Sequence, residues 1–158
     1  MDVSANLFLN RERTSRNRFL RLIGWLDDKQ MRRESKQILD TIGVSVPSVR
    51  QPVSLLSGGQ RQGISVGRAV GWGSYIVLMD EPAAALGVEQ SRHVLDTVRR
   101  LRDANVGVVF ISHNMQHVME VCDRAVVLFH GRKTGDVSIP DVTTRDLVDL
   151  ITGATAAA

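Results

Sequence analysis

One short stretch of the chain combines residue types that bind phosphate. Ser57, Gly58 and Gly59 stand directly before a predicted helix, so a hydroxyl group and successive backbone N–H groups gather at its start. The first turn of a helix leaves N–H groups without partners, and glycine lets the backbone approach a ligand closely. The stretch therefore predicts a phosphate-binding loop.

A second stretch carries two carboxylates. Asp80 and Glu81 directly follow the apolar run 75–79, which predicts a buried strand. An apolar strand ending in Asp-Glu is the Walker B arrangement, in which Asp helps to hold Mg²⁺ beside the β- and γ-phosphates and Glu polarises the attacking water. An acidic helix cap is the structural alternative for such a pair.

A histidine ends the next predicted strand. His113 follows the predicted strand 108–112, so in a parallel sheet it lies at the same edge as Glu81. It can donate a hydrogen bond to a γ-phosphate oxygen or hold the water and the carboxylate in place. A purely structural histidine is the alternative. The remaining histidines have no metal-ligand spacing and are interpreted as structural or solvated: His93, His117 and His130.

Strands and helices alternate in the second part of the chain. The continuous apolar run 75–79 predicts a strand buried on both faces, residues 108–112 predict a second strand, and a helical pattern separates the two. Further on, the pattern predicts a hairpin with its turn at His130 and Gly131, then a helix capped by Thr143 and closed by Gly153. This order predicts an α/β fold with a parallel sheet, whose ligands bind at the carboxyl ends of the strands.

The residue pattern predicts helices in the first third of the chain. Asp27 and Asp28 can cap a helix that closes at Gly43, and a connector with Pro47 and Pro52 follows. No run of residues is long and apolar enough to cross a bilayer, and the first residues do not resemble a secretory signal.

Composition and charge favour a globular protein. The 158 residues are 43% hydrophobic and 23% charged, with a single cysteine, which is typical of one globular domain of the cytosol. Residues 11–36 carry nine Lys/Arg and four Asp/Glu, a local charge of +5. Such a run can meet nucleic acid or anionic lipid. A solvated helical face is favoured, because Phe19 and Trp25, the aromatic residues of the run, are interpreted as packing residues.

The ordered motifs resemble one family. "LSGGQ" at 56–60, "IVLMDEP" at 76–82 and "VVFISH" at 108–113 resemble the ATP-binding cassette transporter ATPases. "ANLFLNRE" and "DEPAAALGVEQS" are most similar to ATPase subunits of bacterial ribose, xylose and fructose importers. The resemblance implies a partial P-loop-NTPase-like parallel sheet with flanking helices. It assigns 1–55 to part of a helical subdomain and connector, 56–153 to the ATPase core, and 154–158 to a tail.

The resemblance also implies roles for individual residues. The signature loop, residues 57–60, would grip the γ-phosphate of an ATP held mainly by an opposite subunit, and 83–87 would communicate between the two sites. The implied residues are Ser57, Gly58, Gly59 and Gln60 for nucleotide, Asp80 for Mg²⁺ through water, Glu81 as general base, and His113 as switch histidine. Implied partners are a second cassette, a membrane permease and, indirectly, a sugar-binding protein. Nucleic acid is not expected, and the expected location is cytoplasmic, on the inner face of the cell membrane.

The sequence departs from the family in one important respect. No G-x-x-x-x-G-K-[ST] motif occurs: Lys29, Lys36 and Lys133 are the lysines of the chain, and none follows glycine. We therefore expect the carboxyl-terminal portion of a cassette, with a truncated gene or an incomplete assembly favoured over a purposeful short form. We also expect the chain alone to be inactive and to leave apolar faces of its strands uncovered.

Two other functions are compatible with the sequence. The chain could be an inactive regulatory module that lends its signature loop to a complete cassette. It could also belong to a DNA-repair ATPase of the same superfamily, although those carry long coiled coils and no sustained heptad occurs here. The transported sugar cannot be predicted from the sequence.

Overall fold

The structure is a computed structural model, and it describes residues 1–15, 18–84 and 86–153, without the side chains of Leu20 and Arg21. Ala85 of the predicted communication loop and the predicted tail 154–158 lie outside the described residues. The chain divides into two compact units, Met1–Val77 with Ala85–Val109, and Leu78–Ala84 with Phe110–Ala158. The boundary predicted at residue 55 lies within the first unit.

Helices and strands follow one another along the chain. In order they are α1 Val3–Leu7, α2 Arg18–Leu22, α3 Asp28–Ile42, α4 Gly58–Gly71, β1 Ile76–Asp80, α5 Val88–Asp103, β2 Gly107–Ile111, α6 Met115–Val121, β3 Arg124–Phe129, β4 Arg132–Ser138 and α7 Thr144–Thr152. Short 3₁₀ turns occupy Val53–Leu55 and Ile139–Asp141. None of the helices in the described part of the chain is both long and apolar enough to span a membrane.

Packed helices build the first unit. The prediction for α3 is confirmed, since the Asp27 side chain accepts a hydrogen bond from Gln30 N at 2.9 Å and Gly43 closes the helix with φ +68°. Helices α1, α3, α4 and α5 pack against one another. Their fully buried side chains form the core: Val3, Leu7, Leu39, Ile42, Ile64, Leu95 and Leu101.

Glycines inside α4 permit close packing. A Cβ at Gly63 would lie 2.5 Å from Cγ2 of Val44, and one at Gly71 would lie 2.6 Å from Cδ1 of Ile38. Glycine costs about 1 kcal/mol relative to alanine inside a helix. The close approach of these neighbours explains why α4 carries glycine there.

Strands β1 and β2 form a two-stranded sheet. Gly107 N donates to Tyr75 O at 2.8 Å at one end, and Glu81 N donates to Ile111 O at 3.0 Å at the other. Both partners advance in the same direction along the chain, so the strands are parallel. The predicted parallel pair is thereby confirmed, and both strands reach their carboxyl ends at the same edge.

The prediction that residues 75–79 are buried on both faces is wrong. In β1, Val77 and Met79 are buried, whereas Ile76 and Leu78 are each 67% exposed. Strand β1 alternates because its side chains point to opposite faces and none of the described residues covers the outer one. The predicted uncovered apolar face is therefore present.

The β3–β4 hairpin and two helices build the second unit. The hairpin turns at His130 and Gly131, both with positive φ, as the predicted turn requires. Its core is Val118, Val127, Ile139 and Leu147, with α6 and α7 packed beside the hairpin. The predicted cap of α7 is confirmed, since Asp146 N donates to Thr143 Oγ1 at 3.3 Å and Gly153 ends the helix with φ +73°.

An exposed ion pair links the strands of the hairpin. Arg124 Nε lies 2.6 Å and Lys133 Nζ 3.3 Å from the Asp136 carboxylate. Hydrogen bonds from Arg124 first and from Lys133 second lower the pKa of Asp136 to about 2. Asp136 therefore stays ionised down to strongly acidic pH.

The interpretation of Phe19 and Trp25 as packing residues is wrong. Both side chains are exposed, Phe19 by 78% and Trp25 by 61%. Apolar residue type alone predicted burial, but neither side chain is among the buried residues of the first unit. The basic segment 11–36 therefore carries two exposed aromatic side chains, contrary to the prediction.

Candidate functional site

The predicted phosphate-binding loop is the start of α4. Ser57 is its N-cap, and Ser57 Oγ accepts from Gln60 N at 3.2 Å, while Gln60 Oε1 accepts from Ser57 N at 3.1 Å. These reciprocal bonds form a capping box, which satisfies two backbone donors of the loop. The structure therefore brings Ser57, Gly58, Gly59 and Gln60 together as one ordered turn.

Two N–H groups of this turn remain available to a ligand. Among the residues that the structure describes, the Gly58 and Gly59 N–H groups have no acceptor. A Cβ on Gly59 would meet only Gln90, at an ordinary contact distance of 3.7 Å, so the loop is open on that side. Adjacent free N–H groups at the positive end of a 14-residue helix form an anion-binding arrangement.

Side chains of α4 hold the loop to its surroundings. Gln60 Nε2 donates to Ser45 O at 3.0 Å, so both polar atoms of the Gln60 amide are used within the chain. Arg61 Nη1 donates to Leu56 O at 2.8 Å and ties down the residue before the loop. Sequence reasoning missed Arg61, because a charged side chain on a helix carries no signal that it will fold back onto a carbonyl.

The second unit contains the predicted carboxylate and histidine. Glu81 Oε1 accepts from His113 N at 3.0 Å and lies 2.7 Å from His113 Nδ1. A carboxylate can only accept, so we assign a proton to Nδ1 of the ring. The Glu81 side chain is 36% exposed and that of His113 77% exposed, so both can reach a ligand from solvent.

The backbone at Glu81 is unusual. Its φ is +46°, a left-handed conformation that costs energy for a residue with a side chain. The turn is held by two hydrogen bonds, from Glu81 N to Ile111 O at 3.0 Å and from Ala84 N to Glu81 O at 3.2 Å. This turn directs the carboxylate toward His113, and no sequence pattern signalled it.

Asp80 is the last residue of β1. Its side chain is exposed and makes no hydrogen bond or ion pair within the described residues. No cluster of three or more metal-ligating side chains occurs in that part of the chain. A single free carboxylate nevertheless suits Mg²⁺, which keeps several waters and takes one or two carboxylates plus phosphate oxygens. Asp80 therefore fits the metal role implied by the sequence.

The residues that follow His113 fix its position. Asn114 N donates to Ser112 Oγ at 3.1 Å, and Asn114 Oδ1 accepts from Gln116 N at 3.0 Å as the N-cap of α6. Both contacts immobilise the backbone on the carboxyl side of the histidine. Sequence reasoning did not single out Asn114, although asparagine directly before a helical pattern is a recognisable cap.

Comparisons with known proteins find ATP-binding proteins of sugar importers. No family profile matches the chain. A fructose import ATP-binding protein of Rhizobium meliloti is 39% identical over 155 residues, which is 98% of this chain and 60% of that protein. A xylose/arabinose import ATP-binding protein of Sulfolobus acidocaldarius is 38% identical over 148 residues, 90% of this chain and 56% of that protein. The chain thus spans little more than half the length of these relatives.

Solved structures show the same fold. A metal-chelate type ABC transporter in an inward-facing conformation matches with a TM-score of 0.76 at 22% identity, over 97% of this chain and 58% of that one. A dimeric ATP-binding cassette in a post-hydrolysis state with ADP and Pi matches with a TM-score of 0.66 at 18% identity, over 88% and 57%. The resemblance to sugar-import ATP-binding proteins and the cassette-type α/β fold are both confirmed.

Proposed function

We propose that the chain is part of the ATP-binding subunit of a sugar importer, in which ATP hydrolysis drives uptake. One observation carries this proposal: Glu81 and His113 meet at the carboxyl ends of two parallel strands, with Nδ1 and Oε1 2.7 Å apart. The names of the relatives, which are fructose and xylose/arabinose import ATP-binding proteins, support the transport role.

The signature loop would bind the γ-phosphate of ATP. The free N–H groups of Gly58 and Gly59 would donate to phosphate oxygens, and the Ser57 hydroxyl can add a further donor. Gln60 would act mainly by holding this turn, because its amide already bonds Ser57 N and Ser45 O. The loop closes on nucleotide held mainly by a second cassette.

The Asp80 carboxylate would hold Mg²⁺ through water. When bound, Mg²⁺ neutralises charge that develops on the phosphate oxygens during phosphoryl transfer. The free and exposed state of the Asp80 side chain supports this role.

Glu81 would act as general base, and His113 would orient it. Both hydrogen bonds from His113 go to Oε1, so Oε2 is the oxygen left to accept a proton from the attacking water. Water attacks the γ-phosphorus, the bond to the β-phosphate oxygen breaks, and the proton passes to Glu81 Oε2. Positioning and electrostatic stabilisation supply most of the rate in phosphoryl transfer, and general base catalysis typically adds about 10²- to 10⁴-fold.

Partners and location follow from the same proposal. The subunit would pair with a second cassette on the inner face of the cell membrane, beneath a permease. A sugar-binding protein would deliver the sugar to that permease. The dimeric solved cassette supports the pairing. The 158 residues alone would not hydrolyse ATP at the rate of a whole cassette, because they contain no P-loop lysine.

A fusion tests the function. The P-loop-bearing segment of the Rhizobium meliloti relative is joined to this chain, and phosphate release from Mg-ATP is measured. We expect hydrolysis by the fusion, a loss of about 10²- to 10⁴-fold in Glu81→Gln, and no change in Glu89→Gln, which alters an exposed glutamate of α5. Equal rates in Glu81→Gln and the parent fusion would refute the assignment of the base.

A second candidate function is that of a regulatory module. The ordered turn at residues 57–60, with its two free N–H groups, favours it, because this turn needs no P-loop of its own chain. The test adds the unfused chain to a complete relative whose signature serine is replaced by alanine. Recovery of ATPase activity with the parent chain, and not with a Ser57→Ala, Gly58→Val variant, supports this role. No recovery with either chain rejects it.

A further inference from the structure

The segment that contains α2 exposes a group of large apolar side chains. Leu22 is 86% and Trp25 61% exposed, and three others are exposed with them: Phe19, Ile23 and Leu26. Exposed apolar groups of this size are rare on soluble proteins unless they meet a partner. We call these five residues, together with Arg18, the α2 surface.

Three of these side chains share one side of the segment. Phe19, Leu22 and Ile23 follow the i, i+3, i+4 spacing that places residues on one face of a helix. The chain on either side of the segment is tied together, since Ser15 N donates to Trp25 O at 2.8 Å and Asp27 N donates to Arg13 O at 2.7 Å. The α2 surface is therefore held on a closed loop.

The base of this loop is anchored to α3. The Asp27 side chain caps that helix by accepting from Gln30 N at 2.9 Å. Arg13 Nε pairs with Glu34 of the same helix at 3.3 Å. The loop thus presents its apolar side chains from a fixed base.

The sequence around the apolar group is basic. Residues 11–36 carry a net charge of +5. Arg18 is exposed and has no ion-pair partner within the described part of the chain, while Arg11 lies over the Trp72 ring at 4.8 Å, close to the same segment in sequence. The exposed Arg18 therefore gives the α2 surface a charge complementary to an anionic partner.

We propose that the α2 surface binds the anionic surface of a lipid bilayer. Exposed aliphatic and aromatic side chains beside arginines are the combination that inserts at the boundary between headgroups and acyl chains. Arginine side chains near an anionic bilayer gain electrostatic attraction. Nucleic acid fits less well, because the aliphatic members of the group have no bases to stack with and gain nothing from phosphate.

Vesicle sedimentation tests the proposal without nucleotide, so its result is independent of the proposed ATPase function. The chain is mixed with vesicles of phosphatidylglycerol and phosphatidylcholine, or of phosphatidylcholine alone. We expect sedimentation only with the anionic vesicles, weakened by salt. Arg18→Gln should weaken binding about fivefold and Leu22→Ser at least about tenfold.

Matched variants make the result specific. Leu55→Ser alters an equally apolar side chain of the first unit that is 70% exposed, and Arg132→Gln alters an exposed arginine of β4. Both should bind as the parent chain does. Circular dichroism confirms that each variant keeps its helices.

Three outcomes overturn the proposal. Equal binding to neutral and anionic vesicles would show that electrostatic attraction does not contribute to binding. Equal weakening by Leu55→Ser and Leu22→Ser would show that the chain adheres to vesicles non-specifically. Tight binding to a single-stranded oligonucleotide that survives Leu22→Ser, with no vesicle binding, would assign the surface to nucleic acid.

Discussion

Replacing His113 separates two roles that the histidine could have in hydrolysis. In His113→Ala the ring bond to Glu81 Oε1, 2.7 Å long, is lost, while the backbone bond from residue 113 at 3.0 Å stays. A hydrogen bond to a charged group contributes about 1.5–3 kcal/mol, and exposure of the pair reduces this to about 1–2 kcal/mol. The expected fall in kcat is therefore about 5- to 30-fold.

The asparagine variant sharpens this prediction. In His113→Asn the side-chain amide nitrogen takes the place of Nδ1, so the donor to Glu81 is kept and the outer edge of the ring is lost. If His113 acts by orienting Glu81, His113→Asn keeps most of the parent rate. His93→Ala, an exposed histidine of α5, serves as the control and should be unchanged.

The assay is phosphate release from Mg-ATP by the fusion described above, at saturating nucleotide. An His113→Asn rate as low as that of His113→Ala would refute the orienting role and favour contact of the ring with phosphate. An His113→Ala rate equal to the parent would refute both roles.

Further predictions concern stability and solubility. The pKa of Asp136 is about 2 in the folded protein and 3.8 in the unfolded chain. Its contribution to the free energy of unfolding is therefore present above pH 4 and is lost as the pH falls from about 4 to about 2. In acid titrations followed by circular dichroism, the Asp136→Asn variant should lose stability less steeply than the parent across that window. Gly63→Ala should lower the unfolding free energy by about 1 kcal/mol in urea melts, because Val44 blocks the new methyl group, and Val44→Ala should relieve the loss. Leu78→Thr, on the uncovered face of β1, should raise the soluble fraction after centrifugation, whereas Met79→Thr, on the buried face, should lower the unfolding free energy by about 2 kcal/mol or more.

Local signals predicted local structure well. Caps such as Asp27 and Thr143 satisfy backbone groups within a few residues, so the residue types reveal the helix ends. The site residues were predictable for a similar reason, since the carboxyl ends of parallel strands meet at one edge and bring Glu81 and His113 together.

Features that depend on distant neighbours were not predictable. Whether both faces of β1 are buried depends on what lies over the sheet, and residue type cannot report this. The exposure of Trp25 could not be predicted for the same reason, because an aromatic residue type indicates packing wherever it occurs in a sequence. The left-handed conformation of Glu81 depends on its hydrogen bond to Ile111, which sequence spacing does not encode.

The central claim is that Glu81 is the base of an ATPase site completed by a P-loop outside these residues. The most direct measurement is the rate of phosphate release by the P-loop fusion and by its Glu81→Gln variant, which keeps an acceptor for both His113 bonds but cannot take a proton. The account predicts hydrolysis by the parent fusion and a fall of at least about 100-fold in the variant. Equal rates, or hydrolysis by the unfused chain at the rate of the fusion, would contradict it.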